Sequence, residues 1–186
     1  MDELEPVSTA WLAGQAGAEK AFSLGRFDRA YLARHAIALV RIKGSAIAFA
    51  NIWTTPAHTH ATLDLMRFDP ERSPHGVMDF LFTEMLLWAQ REGYRDFDLG
   101  MTPLAGLAQD EYAGAFARFG RLVYERAGAL YGFQGLRQFK EKFGPRWEPR
   151  YLAAPGAYSM PVVLAEVALL TSGGVAGLLS RQGAAS

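Results

Sequence analysis

The stretch "ATLDLMRFDPERSPHGVMDFLFTEMLLWAQREGYRDFDLG", Ala61 to Gly100, decides how this chain folds. Its first eight residues, "ATLDLMRF", set Leu63 and Leu65 against Asp64 and Arg67, the alternation of a strand with one buried face. "DPERSPHG" then breaks the chain, with Ser73 in place to cap a helix and Pro74 suited to its first position. From Val77 to Arg91, "VMDFLFTEMLLWAQR" is apolar around most of its circumference, which predicts a central helix buried against a sheet. Asp79 lies inside that run, where an unpaired carboxylate is costly, so a buried cation or a capping partner is expected for it. "YRDFDLG" (94–100) reads as a further strand, ended by a glycine where the backbone bulges or admits a ligand closely.

Working outward, "AIALVRI" (36–42) and "AIAFANIWTT" (46–55) are β-type runs joined by the short turn Lys43, Gly44 and Ser45, hence a hairpin. Before it, Asp28 is placed to cap a helix running to about Arg34. After Gly100 comes loop, then a helix over roughly 112–128 and a shorter one over 133–142, stopped by Gly144 and Pro145. "RWEPRYLAA" reads as a last strand, with Pro149 marking an edge or bulge, and an amphipathic helix covers about 160–180, weakened by Gly173 and Gly174. The order β-β-β-α-β-α-α-β-α is an antiparallel meander, a central helix and a parallel continuation: an α+β mixed sheet flanked by helices. It is the order of the GNAT-like (N-acyltransferase) fold. The expected division is a helical lead-in over 1–35, the GNAT-like domain over 36–158, and a C-terminal amphipathic helix and tail over 159–186.

Composition narrows the function. A chain of 186 residues, half of them hydrophobic, supports one domain with a sizeable core and excludes general disorder. Its 19 basic and 19 acidic residues cancel, which argues against a nucleic-acid binder charged over its whole surface; any anion site is local. There is no cysteine, so no disulfide framework, thiol nucleophile or thiolate metal site. The four histidines are scattered without metal-ligand spacing. No signal peptide opens the chain, and the tract "MPVVLAEVALL", interrupted by Glu166, is too short for a span of about 20 apolar residues. A soluble or peripheral chain is expected.

The local excess of charge is in "QGLRQFKEKFGPRWEPRY" (134–151), where Arg137, Lys140, Lys142, Arg146 and Arg150 face only Glu141 and Glu148. Phe139, Phe143, Trp147 and Tyr151 recur every four residues between them, giving one side that packs and one that can meet an anion. Asp64 and Arg67, three apart on a strand, point to opposite sides unless the strand bulges or ends between them. Glu125, beside Arg126 near a helix end, is by itself surface charge. Acyl-CoA enzymes of this fold carry a Gly-rich loop before the central helix that holds a pyrophosphate on backbone amides. "DPERSPHG" has one glycine there and two acidic residues ahead of it, so a grip on CoA is not expected.

With these residues in place the chain resembles a known family. "EKAFSLGRFDRAYL", "GVMDFLFTEMLLWAQREGYRDFDLGMTPLAGL" and "LVYERAGALYGFQGLRQFKEKFGPRWEPRYLA" are similar to the C-terminal catalytic domain of the aminoacyl-phosphatidylglycerol synthases, the phosphatidylglycerol lysyltransferase family. Gln138 stands where arginine is common in that family, and Asp98 where asparagine is. The resemblance implies transfer of an aminoacyl group, lysyl or alanyl, from aminoacyl-tRNA to the glycerol hydroxyl of phosphatidylglycerol, without CoA or metal. It also implies a membrane-bound location at the cytoplasmic face of a bacterial inner membrane, an N-terminal membrane region, and a contribution to resistance against cationic peptides. By the family pattern Asp64 is the proton acceptor or orienter, Arg67 holds phosphate or the oxyanion, and Lys142, with Lys140 beside it, is the cation near the ester. Glu125 holds the α-amino group, and Arg137, Arg146 and Arg150 bind the anionic substrates. A cell-wall type peptide ligase with an amine acceptor and a non-catalytic tRNA- or membrane-binding domain are the alternatives. The C-terminal helix is expected either to pack on the core or to lie on the membrane.

Overall fold

A computed structural model describes residues 1–14, 27–102 and 133–151, together with Val162, Val163 and Glu166. The chain divides into two compact units, Met1–Asp98 with Leu152–Ser186, and Leu99–Tyr151. In the first unit a four-stranded sheet has the order β1-β2-β3-β4, from Ala36–Ile42 (β1), Ser45–Thr54 (β2), His60–Phe68 (β3) and Asp96–Asp98 (β4). The first three strands are antiparallel, and β4 runs parallel to β3 after the crossover through helix α3, Val77–Arg91. This is the α+β mixed sheet that the element order predicts.

The hairpin closes on two residues. Ile42 pairs with Ser45, and Lys43 and Gly44 have φ of 50° and 82°, so both central positions are left-handed, as a primed turn requires. The apolar run of β2 is buried without a break from Ala46 to Ile52 because helices cover both faces of the sheet. On one face, helix α1 (Leu4–Ala13) contributes Leu4 and Val7 to a core with Phe49 and Leu65. Leu32 of the short helix α2 (Arg29–Leu32) completes it, and Asp28 caps α2 as expected, accepting from the Tyr31 amide at 2.8 Å. On the other face α3 packs through Val77, Leu81, Met85 and Ala89, one residue per turn.

Several expectations change here. α3 is not buried all round: Phe80 is 55 % exposed, and with Trp88 it flanks an apolar groove of about 390 Å³ along β1. The helix starts at Val77 with Gly76 before it in a left-handed conformation (φ 82°), not at Ser73 and Pro74. Ser73 instead donates its hydroxyl to the carbonyl of Ile47. Asp79 is only partly buried and stands in the first turn of α3, where a carboxylate complements the free amides of the helix end.

In the second unit, helix α4 spans Phe133–Glu141, and Phe139 meets Phe143 edge-on at 5.5 Å. Residues 146–151, the described part of the strand expected over 146–154, form no strand. Pro149 removes an amide donor within this run and Pro145 another just before it, which disfavours a ladder. The helix expected over 112–128 lies outside the described residues, as do residues 152–154 of the expected last strand. Of the C-terminal helix only Val162, Val163 and Glu166 are described, and all three are helical.

Candidate active site

The site begins with an irregularity in β3. Ala50 pairs with Met66 and Ile52 with Leu63, so Asn51 alone faces both Asp64 and Leu65. The extra residue is a bulge, and it restores Asp64 and Arg67 to one face despite their odd spacing. The Asn51 side chain makes the bulge tolerable, because its Oδ1 accepts the Leu65 amide at 2.7 Å, a donor the ladder has lost. Asn51 is fully buried.

Asp64 therefore turns toward α2. Its Oδ2 accepts from the Tyr31 hydroxyl at 2.5 Å, while Oδ1 is enclosed and has no hydrogen-bond partner among the described residues. The Tyr31 oxygen accepts from Trp53 Nε1 at 2.8 Å and from Asn51 Nδ2 at 3.4 Å. Burial, and then the hydrogen bond to the Asp64 carboxylate, push the Tyr31 phenol above its ordinary value, since both disfavour a phenolate. His35 stacks on the Trp53 indole at 5.4 Å with the rings 9° apart, and Trp53 is 37 % exposed, so the network reaches the surface at that end.

Arg67 is placed differently from an open phosphate ligand. It is 1 % exposed, its Nη1 donates to the Ser8 hydroxyl of α1, and its guanidinium lies 5.0 Å from the centre of the Trp11 ring. On this geometry the guanidinium joins α1 to the sheet.

The five cations of the basic segment, all in the second unit, fall into four groups. Lys140 is buried, its ammonium donating to the carbonyls of Gly100 at 2.9 Å and Met101 at 3.1 Å, so it ties α4 to the segment after "DFDL". Arg137 is held by Glu141 at 2.8 Å and lies 5.4 Å from the Trp147 ring centre. Arg146 and Arg150 share Glu148, at 2.9 and 3.4 Å, with most of each side chain in solvent. Lys142 is exposed and has its ammonium 5.2 Å from the Phe139 ring. Glu125 lies outside the described residues. Asp64 and Arg67 belong to the first unit and the five cations to the second.

The loop before α3 bears on the donor. The Asp69 carboxylate, 7 % exposed as a residue, accepts the amides of Glu71 and Arg72 at 3.0 and 3.1 Å. Amides that could surround a pyrophosphate are thus already turned onto an acidic side chain. No group of acidic or histidine residues suited to a metal ion occurs among the described residues. No described helix is long and apolar enough to cross a membrane.

Sequence reasoning reached Asp64 but missed Tyr31, Asn51 and Trp53. One signal was available: Asn51 is the only amide in the apolar run "AIAFANIW", and a polar group there needs a dedicated partner.

Comparison with known proteins bears on the family and the fold. The family profile described as phosphatidylglycerol lysyltransferase, C-terminal, matches residues 1–154. The phosphatidylglycerol lysyltransferase of Staphylococcus epidermidis is 39 % identical over 160 residues, 86 % of this chain and 19 % of that protein. That of Bacillus subtilis is 38 % identical over 165 residues, 88 % of this chain and 19 % of that protein. The chain thus spans about a fifth of the length of these relatives. Among solved structures, the C-terminal domain of a putative lysylphosphatidylglycerol synthetase from Agrobacterium fabrum is similar at 41 % identity and a TM-score of 0.79, covering 94 % of this chain and 51 % of that one. L-PGS from Bacillus licheniformis matches at 35 % identity and a TM-score of 0.74, covering 91 % and 51 %. With the profile matched across both the bulged strand and the basic segment, the chain belongs to the family of phosphatidylglycerol lysyltransferase C-terminal domains.

Proposed function

We propose that this chain is the transfer domain of an aminoacyl-tRNA:phosphatidylglycerol aminoacyltransferase, moving a lysyl or alanyl group from tRNA to a glycerol hydroxyl of the lipid. Family membership supports the lipid acceptor. The observation that carries the chemistry is the Asp64 carboxylate, turned by a bulge, fixed through one oxygen and without a hydrogen-bond partner among the described residues at the other.

In this reading the lipid hydroxyl attacks the carbonyl carbon of the aminoacyl ester as Asp64 Oδ1 takes its proton. The tetrahedral oxyanion collapses, the bond to the tRNA ribose oxygen breaks, and that oxygen recovers the proton from Asp64. A new ester to the lipid has replaced the old one, so no redox partner is needed. Lys142 supplies positive charge to the ester or oxyanion, and Glu125 holds the α-amino group, both on family pattern. Arg137, Arg146 and Arg150 provide the basic side for phosphates of lipid and tRNA, and Lys140 acts by holding the Gly100–Met101 segment. Arg67 contributes through the position of α1. CoA is not used, consistent with the Asp69 carboxylate on the loop amides. The work site is the cytoplasmic face of a bacterial inner membrane, where both substrates meet.

The test is incubation of the protein with labelled lysyl- or alanyl-tRNA and phosphatidylglycerol vesicles. Label in the lipid phase is expected, and Lys142→Ala is expected to abolish it without unfolding. Label moving only to amine acceptors would favour the peptide-ligase alternative. Micromolar binding of CoA by calorimetry would contradict the donor assignment.

A further inference from the structure

We propose that Tyr31 is a positioning residue of the transfer reaction, its hydroxyl holding Asp64 Oδ2 so that Oδ1 alone receives the acceptor's proton. The proposal rests on the reading of Asp64 as proton acceptor. It begins at the bulge, where the Leu65 amide can only donate and therefore fixes the Asn51 carboxamide with Oδ1 toward it, at 2.7 Å. That orientation turns Asn51 Nδ2, also a donor, toward the Tyr31 oxygen at 3.4 Å. Trp53 Nε1, which has no acceptor capacity, donates to the same oxygen at 2.8 Å. Both lone pairs of the phenol are then occupied by N–H groups. Its single hydrogen has one place left to go, the Asp64 carboxylate at 2.5 Å.

Every hydrogen bond in this chain runs in one direction, from a backbone amide through an amide side chain and a phenol to the carboxylate. No rotation of a single hydroxyl or carboxamide reverses it without leaving a donor facing a donor. Tyr31 does not compete for the acceptor's proton, because burial and the neighbouring carboxylate keep it in its neutral form. Its ring is seated against the core of Leu4, Val7, Leu32, Phe49 and Leu65, and α2 is capped within the same turn by Asp28. The carboxylate is thus held at Oδ2 by Tyr31 of α2, whose hydroxyl is in turn fixed by Asn51 and Trp53 of β2, which limits its rotation about the side-chain bonds. A nucleophile's proton must meet an oxygen within hydrogen-bond reach, and a displacement of about 1 Å costs on the order of a hundredfold in rate.

The experiment compares Tyr31→Phe, Tyr31→Ala, Asp64→Asn and the double variant Tyr31→Phe/Asp64→Asn, in the transfer assay with phosphatidylglycerol vesicles. Tyr31→Phe keeps the ring and loses the hydroxyl. It is expected to lower kcat at least about tenfold while the KM for lipid and the melting temperature stay near wild type. The double variant is expected to be no slower than Asp64→Asn alone, since Tyr31 acts through that carboxylate. If Phe restores the wild-type kcat that Ala loses, Tyr31 only packs and the proposal is wrong. If the two losses multiply in the double variant, Tyr31 acts elsewhere. If Asp64→Asn itself keeps wild-type turnover, or the wild type transfers nothing, the reading of Asp64 fails and this proposal falls with it. A normal wild type, an inactive Asp64→Asn and an unaffected Tyr31→Phe would overturn the positioning role alone.

Discussion

Tyr31 shows how much one hydroxyl can reveal about its surroundings. Its phenol is raised above the ordinary tyrosine value of 10.0, first by burial and then by the bond to Asp64. The unfolded chain therefore gives up this proton at lower pH than the folded one. Stability from this group is complete below about pH 10 and is lost as pH rises through the folded-state value. Urea unfolding at pH 9 and pH 11 should show a larger loss for wild type than for Tyr31→Phe; equal losses would contradict the buried phenol. Asn51 is the second test at this scale. Asn51→Leu strands the Leu65 amide and removes a donor from Tyr31, so a loss of about 1–3 kcal/mol is expected in denaturant midpoints. An unchanged midpoint would show that the bulge does not depend on the carboxamide. Asp64 enters as a candidate only through the family resemblance of "DLMR", and Tyr31 not at all, because hydrogen bonds between residues 33 apart leave no local pattern.

Among the elements, those whose periodicity is local read cleanly from the sequence. The hairpin, β3 and the body of α3 lie within a residue or two of expectation, though not the Ser73 cap, because alternation, Gly44 and the apolar stripe of α3 each act over a few positions. The bulge was foreseen only as a condition for Asp64 and Arg67 to share a face, and its register depends on Asn51 from another strand. The failures have the same cause. Residues 146–151 carry strand-like aromatics, but Pro149 among them and Pro145 just before deny the ladder its donors. α1 was expected as a lead-in, yet Leu4 and Val7 belong to the core of the sheet and Ser8 and Trp11 close over Arg67. A substitution separates this anchor from a phosphate ligand. Arg67→Ala should destabilise the fold by at least about 2 kcal/mol through the lost charged hydrogen bond and ring contact. Trp11→Ala should destabilise it in the same direction, as read by thermal unfolding. A fully stable, inactive Arg67→Ala would instead favour direct contact with substrate.

For the whole molecule, the sequence carried the fold class and the family more securely than the site. A mixed sheet follows from element order, and membership follows from long blocks that match over most of the chain. The roles of individual charges depend on burial that composition does not encode: Lys140 and Arg67 look alike as basic residues on sequence, and both are turned inward by groups distant in the chain. The central claim is that Asp64, held by this fold, accepts the proton when a lipid hydroxyl takes an aminoacyl group. Its most direct measurement is the single-turnover rate at which labelled aminoacyl-tRNA passes label to phosphatidylglycerol vesicles, for wild type and for Asp64→Asn. Replacing a general base is expected to slow the step by about 10²–10⁴-fold at saturating substrate, with the fold unchanged by circular dichroism. Equal rates for the two proteins would contradict the account.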